Sequence, residues 1–199
     1  MRPASATWSF RENISPSALS VALDGKYSAV GTPNGLIFLN SRGMLLWYNK
    51  KIRKIKDVSV STQSGKIAVG SSQKVLYLVN LKGESLWHRE LDSSVLAVSI
   101  SSRGNLIAVG TDEGRLMLFD GKGKKKWEVH LSNSDFSVNS VDITSDGEFI
   151  VAGTDYSHLY LYDSKGNILW SKETGSEVLK TCISSNGDYL GYLLSLIHI

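Results

Sequence analysis

The chain has five tryptophans, Trp8, Trp47, Trp87, Trp127 and Trp170, separated by 39, 40, 40 and 43 residues. A rare residue confined to one slot of a regular repeat constrains the fold more than any other feature, because a period of about 40 residues is the length of one four-stranded antiparallel unit in a radial array. Three further marks keep the same period. A turn pair ending in glycine recurs as Asp24-Gly25, Ser64-Gly65, Arg103-Gly104, Asp146-Gly147 and Asn186-Gly187. Such pairs between apolar runs mark hairpins, since glycine tolerates the positive φ that tight turns need. A small-apolar-glycine step recurs as Ala29-Val30-Gly31, Ala68-Val69-Gly70, Ala108-Val109-Gly110 and Val151-Ala152-Gly153. Finally, Asn/Asp-x-x-Gly-x-x-x-Trp recurs as Asn40–Gly43–Trp47, Asn80–Gly83–Trp87, Asp120–Gly123–Trp127 and Asp163–Gly166–Trp170.

Short β-type runs lie between these marks. In the third copy they cover Val95–Ser101, Asn105–Thr111, Arg115–Asp120 and Lys125–His130, four strands joined by three turns. No gap has the length or apolar spacing of a typical helix. The middle strands are almost continuously apolar, as in Val75-Leu76-Tyr77-Leu78-Val79, and such strands are covered on both faces. The first strands alternate large and small residues, as in Val98-Ser99-Ile100-Ser101, which suits an innermost position beside a channel. The fold class expected is therefore all-β, a β-propeller of repeated four-stranded antiparallel blades forming an incomplete ring. A β-sandwich also has many short strands at regular spacing, but it gives no reason for five Trp to share one slot.

These residues resemble the WD40-like and PQQ-like repeat propellers of prokaryotes. Asp163-Ser-Lys-Gly166-Asn-Ile-Leu-Trp170 looks like the tryptophan-docking segment of quinoprotein-type blades, and Val141–Asp155 is closer to a WD40 blade. The resemblance covers about residues 8–193. It implies blade-packing roles for Trp8, Trp47, Trp87, Trp127, Trp170, Gly43, Gly83, Gly123 and Gly166. The Gly-His and Trp-Asp dipeptides of orthodox WD40 repeats are absent, so their side-chain hydrogen-bond set does not carry over. Alcohol-oxidising quinoproteins have an adjacent Cys-Cys pair, whereas this chain has only Cys182. PQQ enters by resemblance alone, and no cofactor residues are assigned.

The repeat divides the chain into a partial propeller over 1–193. A single blade strand covers 6–11, blades cover about 17–50, 56–91, 95–131 and 138–174, and a half blade covers 178–193. Trp8 sits in what reads as the last strand of a blade, which fits either strand closure by the N-terminus or a start inside a repeat. The fifth copy calls for glycine near position 193, where the chain has Leu193. Residues 194–199 read as an in-frame translation of a transposon-end sequencing adapter, a non-native tail. The chain is thus expected to be a fragment that self-associates through open edges and uncovered inter-blade surface.

Composition is that of ordinary globular material, 42% hydrophobic and 21% charged, with formal charge +3 and pI near 8.9. Met1–Ser9 lacks the apolar core of a signal peptide, and no stretch approaches the roughly 20 apolar residues of a membrane span. Neither observation assigns a compartment, and a surface or secreted address for the complete protein stays open.

Two basic runs stand out, Lys50-Lys51-Ile52-Arg53-Lys54-Ile55-Lys56 and Lys122-Gly123-Lys124-Lys125-Lys126. The first falls in a link between blades and the second in a turn between third and fourth strands. Strand alternation sends these connections to opposite faces, so they cannot form one phosphate-tracking surface, and nucleic acid is not the expected partner. The loops after the glycine step share a face with the inter-blade links. They place Asp112, Glu113, Asp155 and Tyr156 there as the candidate partner face, although Asp and Gly also serve turn geometry. His88, His130 and His158 lie on different blades without metal-ligand spacing, and His198 lies in the tail. Cys182 occupies the slot of Ser99 and Asp142, with no base to activate it. No catalytic, cofactor or metal residues are assigned. The expected function is a non-catalytic scaffold presenting loop faces to a protein or other macromolecular partner. The alternative is part of a quinoprotein-like dehydrogenase or sensor whose cofactor residues lie in other blades.

Overall fold

The computed structural model describes residues 15–131 and 136–195. Trp8 and the strand expected at 6–11 lie outside the described residues, as do 196–199. The described residues form four four-stranded antiparallel meanders and one two-stranded hairpin. The first meander contains β1 (Ala18–Val21), β2 (Tyr27–Thr32), β3 (Gly35–Asn40) and β4 (Leu45–Asn49). The second contains β5 (Ile55–Ser61), β6 (Lys66–Ser71), β7 (Val75–Asn80) and β8 (Ser85–Glu90). The third contains β9 (Val95–Ile100), β10 (Leu106–Thr111), β11 (Arg115–Asp120) and β12 (Lys125–His130). The fourth contains β13 (Val138–Ile143), β14 (Phe149–Thr154), β15 (His158–Asp163) and β16 (Ile168–Glu173), and the hairpin contains β17 (Val178–Ile183) and β18 (Leu190–Leu194). The first strands β1, β5, β9, β13 and β17 lie side by side in chain order, so the sheets fan out radially as the blades of a β-propeller arc. Among the described residues the arc does not close into a ring.

The hairpin turns follow the expected chemistry: Gly25, Gly65, Gly104, Gly147 and Gly187 all adopt φ between +61° and +83°. The turns between third and fourth strands are built once and reused. Asn40 Oδ1 accepts the backbone N–H of Arg42 and Met44, and Asn80, Asp120 and Asp163 repeat the bond pair in their own turns. Gly43, Gly83, Gly123 and Gly166 close these turns at φ of +73° to +89°. Backbone N–H donors hold Asp120 below the usual carboxylate range, and for Asp163 the Asn167 side chain contributes first.

Blade follows blade through one repeated joint. On its inner side, the glycine near the end of each second strand faces the first residue of the next blade. A Cβ on Gly31 would lie 2.5 Å from Ile55 Cγ2, one on Gly70 2.5 Å from Val95 Cγ1, and one on Gly110 2.6 Å from Val138 Cγ1. Gly153 meets Val178 in the same way. Side chains of any size there would hold the blades apart, which is why the small-apolar-glycine step ends in glycine. Leu193 holds this slot in the last hairpin, paired with Lys180, and its side chain is 59% exposed. The strand runs on through Leu194, which pairs with Val178, so β18 includes the first residue assigned to the non-native tail.

On its outer side, each of the first three joints is pinned by tryptophan. Trp47, Trp87 and Trp127 donate their indole N–H to Leu81, Gly121 and Ser164 carbonyls of the next blade at 2.8, 3.1 and 3.1 Å. The rings lie against Gly83, Gly123 and Gly166, where an added Cβ would come within 3.0–3.1 Å. A β-bulge directly before each Trp re-aims the outer strand toward that seat. The rings are half-buried at the rim of the joint, not in its interior. Trp170 has no seat among the described residues and is 39% exposed.

The core is correspondingly four separate layers, one per joint. Leu36 and Phe38 of the first blade pack with Ile55, Val58 and Ile67 of the second. Leu76 and Leu78 of the second pack with Val95, Val98 and Ile107 of the third. The third and fourth blades, and the fourth and the hairpin, repeat the arrangement. At the two ends of the arc, Leu19 and Val21 of β1 and Tyr192 and Leu193 of β18 are exposed.

Trp127→Ala is expected to cost roughly 2–4 kcal/mol, since it removes a large ring and leaves the seat on Gly166 empty. Trp170→Ala, with no seat to vacate, is expected to cost less than about 1 kcal/mol. Equilibrium unfolding of the two variants measures the difference, and equal losses would contradict the joint.

Candidate functional site

The loop face that carries Asp112, Glu113, Asp155 and Tyr156 is built from two kinds of connection, the loops joining second to third strands and the links joining one blade to the next. A buried hydroxyl organises each loop. Thr32 Oγ1 accepts the N–H of Asn34 and Gly35, Ser71 Oγ that of Gln73, Thr111 Oγ1 that of Arg115, and Thr154 Oγ1 that of His158. In the third and fourth blades the loop is latched to the preceding link. Ser94 N–H donates to Asp112 Oδ1 at 2.8 Å while Asp112 N–H donates to Ser94 O at 3.1 Å. Ser137 and Asp155 exchange the same pair of bonds, at 2.8 and 3.2 Å. Asp112 and Asp155 therefore hold the backbone and are themselves exposed.

Ser137 links the two latches, since its Oγ donates to Asp112 O at 3.4 Å. Beside them Arg115 gathers three carboxylates, Glu128 at 3.1 Å, Glu113 at 3.3 Å and Asp92 at 3.6 Å. Lys125 also binds Glu128, and this bond, together with the Arg115 contact, holds the Glu128 carboxyl below its usual range. His130 contacts the Glu113 carbonyl through Nε2 at 2.7 Å.

An aromatic ladder runs up to the same face. Phe136, in the link before β13, stacks on Tyr156 at 6.1 Å between ring centroids. Tyr156 stacks on His158, and His158 on Tyr160, each at 5.9 Å. His158 Nδ1 contacts the Tyr156 carbonyl at 2.7 Å, which fixes the ring in the row. The ladder is buried at Phe136 and opens at Tyr156, 64% exposed. Of the four residues expected on this face, the loops bring Asp112 and Glu113 to one blade and Asp155 and Tyr156 to the next. The ladder partners Phe136 and His158 were not anticipated, although His158, Tyr160 and Tyr162 show the alternation of one strand face.

The channel side of the arc has a second set of polar groups with a different use. First strands have backbone N–H groups that point away from their own sheet, and the preceding blade satisfies them. Ser20 accepts Val60 N–H, Ser59 accepts Ile100 N–H, and Asp57 accepts Val98 N–H. Asp142 accepts Ile183 N–H and the Ser99 hydroxyl, while Ser140 accepts Thr181 N–H. Burial pushes the Asp57 carboxyl above the usual carboxylate range, against the opposing effect of the Lys180 cation. Cys182, in the slot of Ser99 and Asp142, is exposed and makes only a long contact to Gly191 O at 3.7 Å. His88 is exposed beside Tyr77. The first basic run lies in the link to β5 on the loop face, and the second lies in the β11–β12 turn on the other face. No cluster of three metal-ligating side chains occurs among the described residues, and none of their helices is long and apolar enough to cross a membrane.

A family model described as outer membrane protein assembly factor BamB matches residues 4–141 and again 34–189. Among curated proteins none matches the chain. Of solved structures, the β-propeller domain of Myceliophteria thermophila Cps50 (Swd1) aligns at TM-score 0.80 and 15% identity, over 96% of this chain and 65% of that one. A chain of the mitotic checkpoint complex aligns at TM-score 0.82 and 15% identity, over 96% of this chain and 60% of that one. The chain thus spans less than two thirds of the length of either structure, and at this identity the likeness is one of fold.

The channel bonds generate a pH prediction. Because burial raises the folded pKa of Asp57, its favourable contribution is present below the unfolded pKa and is lost as pH rises through the folded value. Asp57→Asn keeps an oxygen for Val98 N–H without the buried charge, so it is expected to raise the melting temperature at pH 7 and to change little in acid. Asp57→Ala leaves that N–H without its acceptor and is expected to cost about 1–3 kcal/mol. Thermal melts between pH 3 and 8 separate the cases, and equal destabilisation by Asn and Ala at pH 7 would contradict the assignment.

Proposed function

As the chain belongs to the PQQ-like repeat family described as outer membrane protein assembly factor BamB, and folds as a WD40-like propeller arc, we propose that it is a non-catalytic binding module whose loop face engages a protein partner. The observation that carries this reading is how the polar groups are allocated. The channel carboxylates and hydroxyls are used between blades, in bonds to backbone N–H groups of the next first strand. The loop face instead presents Tyr156, Glu113 and the outer oxygens of Asp112 and Asp155 on a backbone held by reciprocal bonds. A surface ordered before binding loses less entropy when a partner docks. The matched family's description as an assembly factor, and the checkpoint structure's being a complex, are in keeping with a protein partner. The exposed ends of the arc are proposed to self-associate when residues 1–199 stand alone.

A second reading, a quinoprotein-like enzyme or sensor, draws on the PQQ-like repeat. The described residues fit that cofactor poorly. The indoles that could stack on a quinone, Trp47, Trp87 and Trp127, are already seated on glycines of the next blade. The channel carboxylates accept backbone and hydroxyl hydrogens, and Cys182 is the chain's one cysteine.

A photo-crosslinking amino acid placed at Glu113 of the complete protein, in extract of its source cells, is expected to trap a discrete partner protein. The same group at Glu84, in a turn on the opposite face, is expected to trap none. Saturable PQQ binding by the complete protein with no partner trapped from the loop face would contradict the reading.

A further inference from the structure

We propose that the exposed Tyr156 rung of the aromatic ladder, with the carboxylates around it, is a docking site for an arginine- or lysine-bearing peptide segment of a partner protein. The inference rests on the binding-module reading and adds the chemistry of what is bound.

Three features of the third blade's loop end and its joint to the fourth blade converge. The first is the ring. Tyr156 stands 64% exposed between Phe136 and His158 in the stack. A tyrosine flanked by rings at 6.1 and 5.9 Å has few conformations left to lose, and its exposure leaves π-surface that attracts cations.

The second feature is charge. Asp92, Glu113 and Glu128 surround Arg115 on the third blade, Asp112 and Asp155 lie at its joint to the fourth, and the cations among them are already engaged. Arg115 is shared by Asp92, Glu113 and Glu128, Lys125 is bound to Glu128, and Lys74 donates to the Asp92 carbonyl. Asp112 and Asp155 each use Oδ1 to accept a backbone N–H, and neither forms an ion pair among the described residues. Negative charge is left in excess beside an exposed ring, which complements a guanidinium or ammonium and opposes an acidic segment.

The third feature is an unmet polar group. Ser93 Oγ, in the link between the second and third blades beside Asp92 and the latched Ser94, is buried without a hydrogen-bond partner among the described residues. Buried hydroxyls are ordinarily paired, so this one is available to a bound polar group. The ladder, the carboxylates and the latches share one rigid frame, since Ser137 bonds to both Asp112 and Asp155 and directly follows Phe136. The opposite charge on the loop face lies at the first joint, where Lys50, Lys51 and Arg53 precede β5. That basic link supplies the control for the test.

The probe is a fluorescently labelled peptide, Gly-Arg-Gly-Leu-Arg-Gly, with a copy carrying Glu in place of Arg, titrated onto the 199-residue chain by anisotropy. The Arg peptide is expected to bind and to weaken as salt rises. Tyr156→Ala, at an exposed position and with its melting temperature checked, is expected to weaken binding tenfold or more. The triple variant Asp112→Asn, Glu113→Gln, Asp155→Asn keeps the oxygens that accept the latch bonds, and is expected to weaken binding similarly and to flatten its salt dependence. Equal binding of both peptides, no binding of the Arg peptide, or wild-type affinity in both variants would overturn the proposal. If the Glu peptide alone binds, and Lys50→Gln, Lys51→Gln, Arg53→Gln abolishes it, this site falls while the binding-module reading stands.

Discussion

The close approach of one blade to the next governs this structure. At each joint a glycine at the end of a second strand lets the first residue of the following blade come within a distance that no Cβ would allow. At the outer rim a tryptophan seats on the glycine turn of the same neighbour and donates its indole N–H to a carbonyl there. Between these pins lies one apolar layer, and along the channel side chains of one blade accept N–H groups of the next. Each blade is thus fixed chiefly by its neighbours, as in other arrays of stacked repeats, where stability is close to a sum of unit and nearest-neighbour terms.

This division of labour bears on function. A first strand beside a channel has backbone donors with no partner in its own sheet, and leaving them unpaired would cost more than the bonds themselves return. Ser20, Asp57, Ser59, Ser140 and Asp142 meet that need, so their recurrence along the inner strands has a structural cause. The loop face carries a different population. Its buried hydroxyls and the inner oxygens of Asp112 and Asp155 fix the backbone, while the outer oxygens and the Tyr156 ring remain toward solvent. Rigid support under an exposed aromatic and charged rim is the arrangement that docking surfaces use, and on this chain the joint between the third and fourth blades has it most fully.

Much of the frame was legible in the sequence because it repeats. Trp47, Trp87 and Trp127 and their glycines stand in one slot since the same joint is made each time, and the hairpin glycines adopt the positive φ that their turn pairs imply. What did not repeat was not legible. Period alone does not say whether a tryptophan fills an interior or pins a rim, because a bulge of one residue before it decides its aim. Asp57 and Asp142 read as scattered acids until adjacent first strands are placed side by side. The ladder occurs at one joint, and Phe136 joins it from a link outside any strand, so the alternation of His158, Tyr160 and Tyr162 marked a strand face without showing what it stacked upon.

The most direct measurement is amide hydrogen exchange at Val60, Val98, Ile100, Thr181 and Ile183, whose N–H groups bond across a joint to the preceding blade's side chains. If the joints hold the arc as described, these amides exchange as slowly as those in the ladders of their own blades, and Ser59→Ala accelerates Ile100 selectively. Exchange at the rate of open loops, with the ladder amides still protected, would mean that the blades fold without docking in this way and would contradict the account.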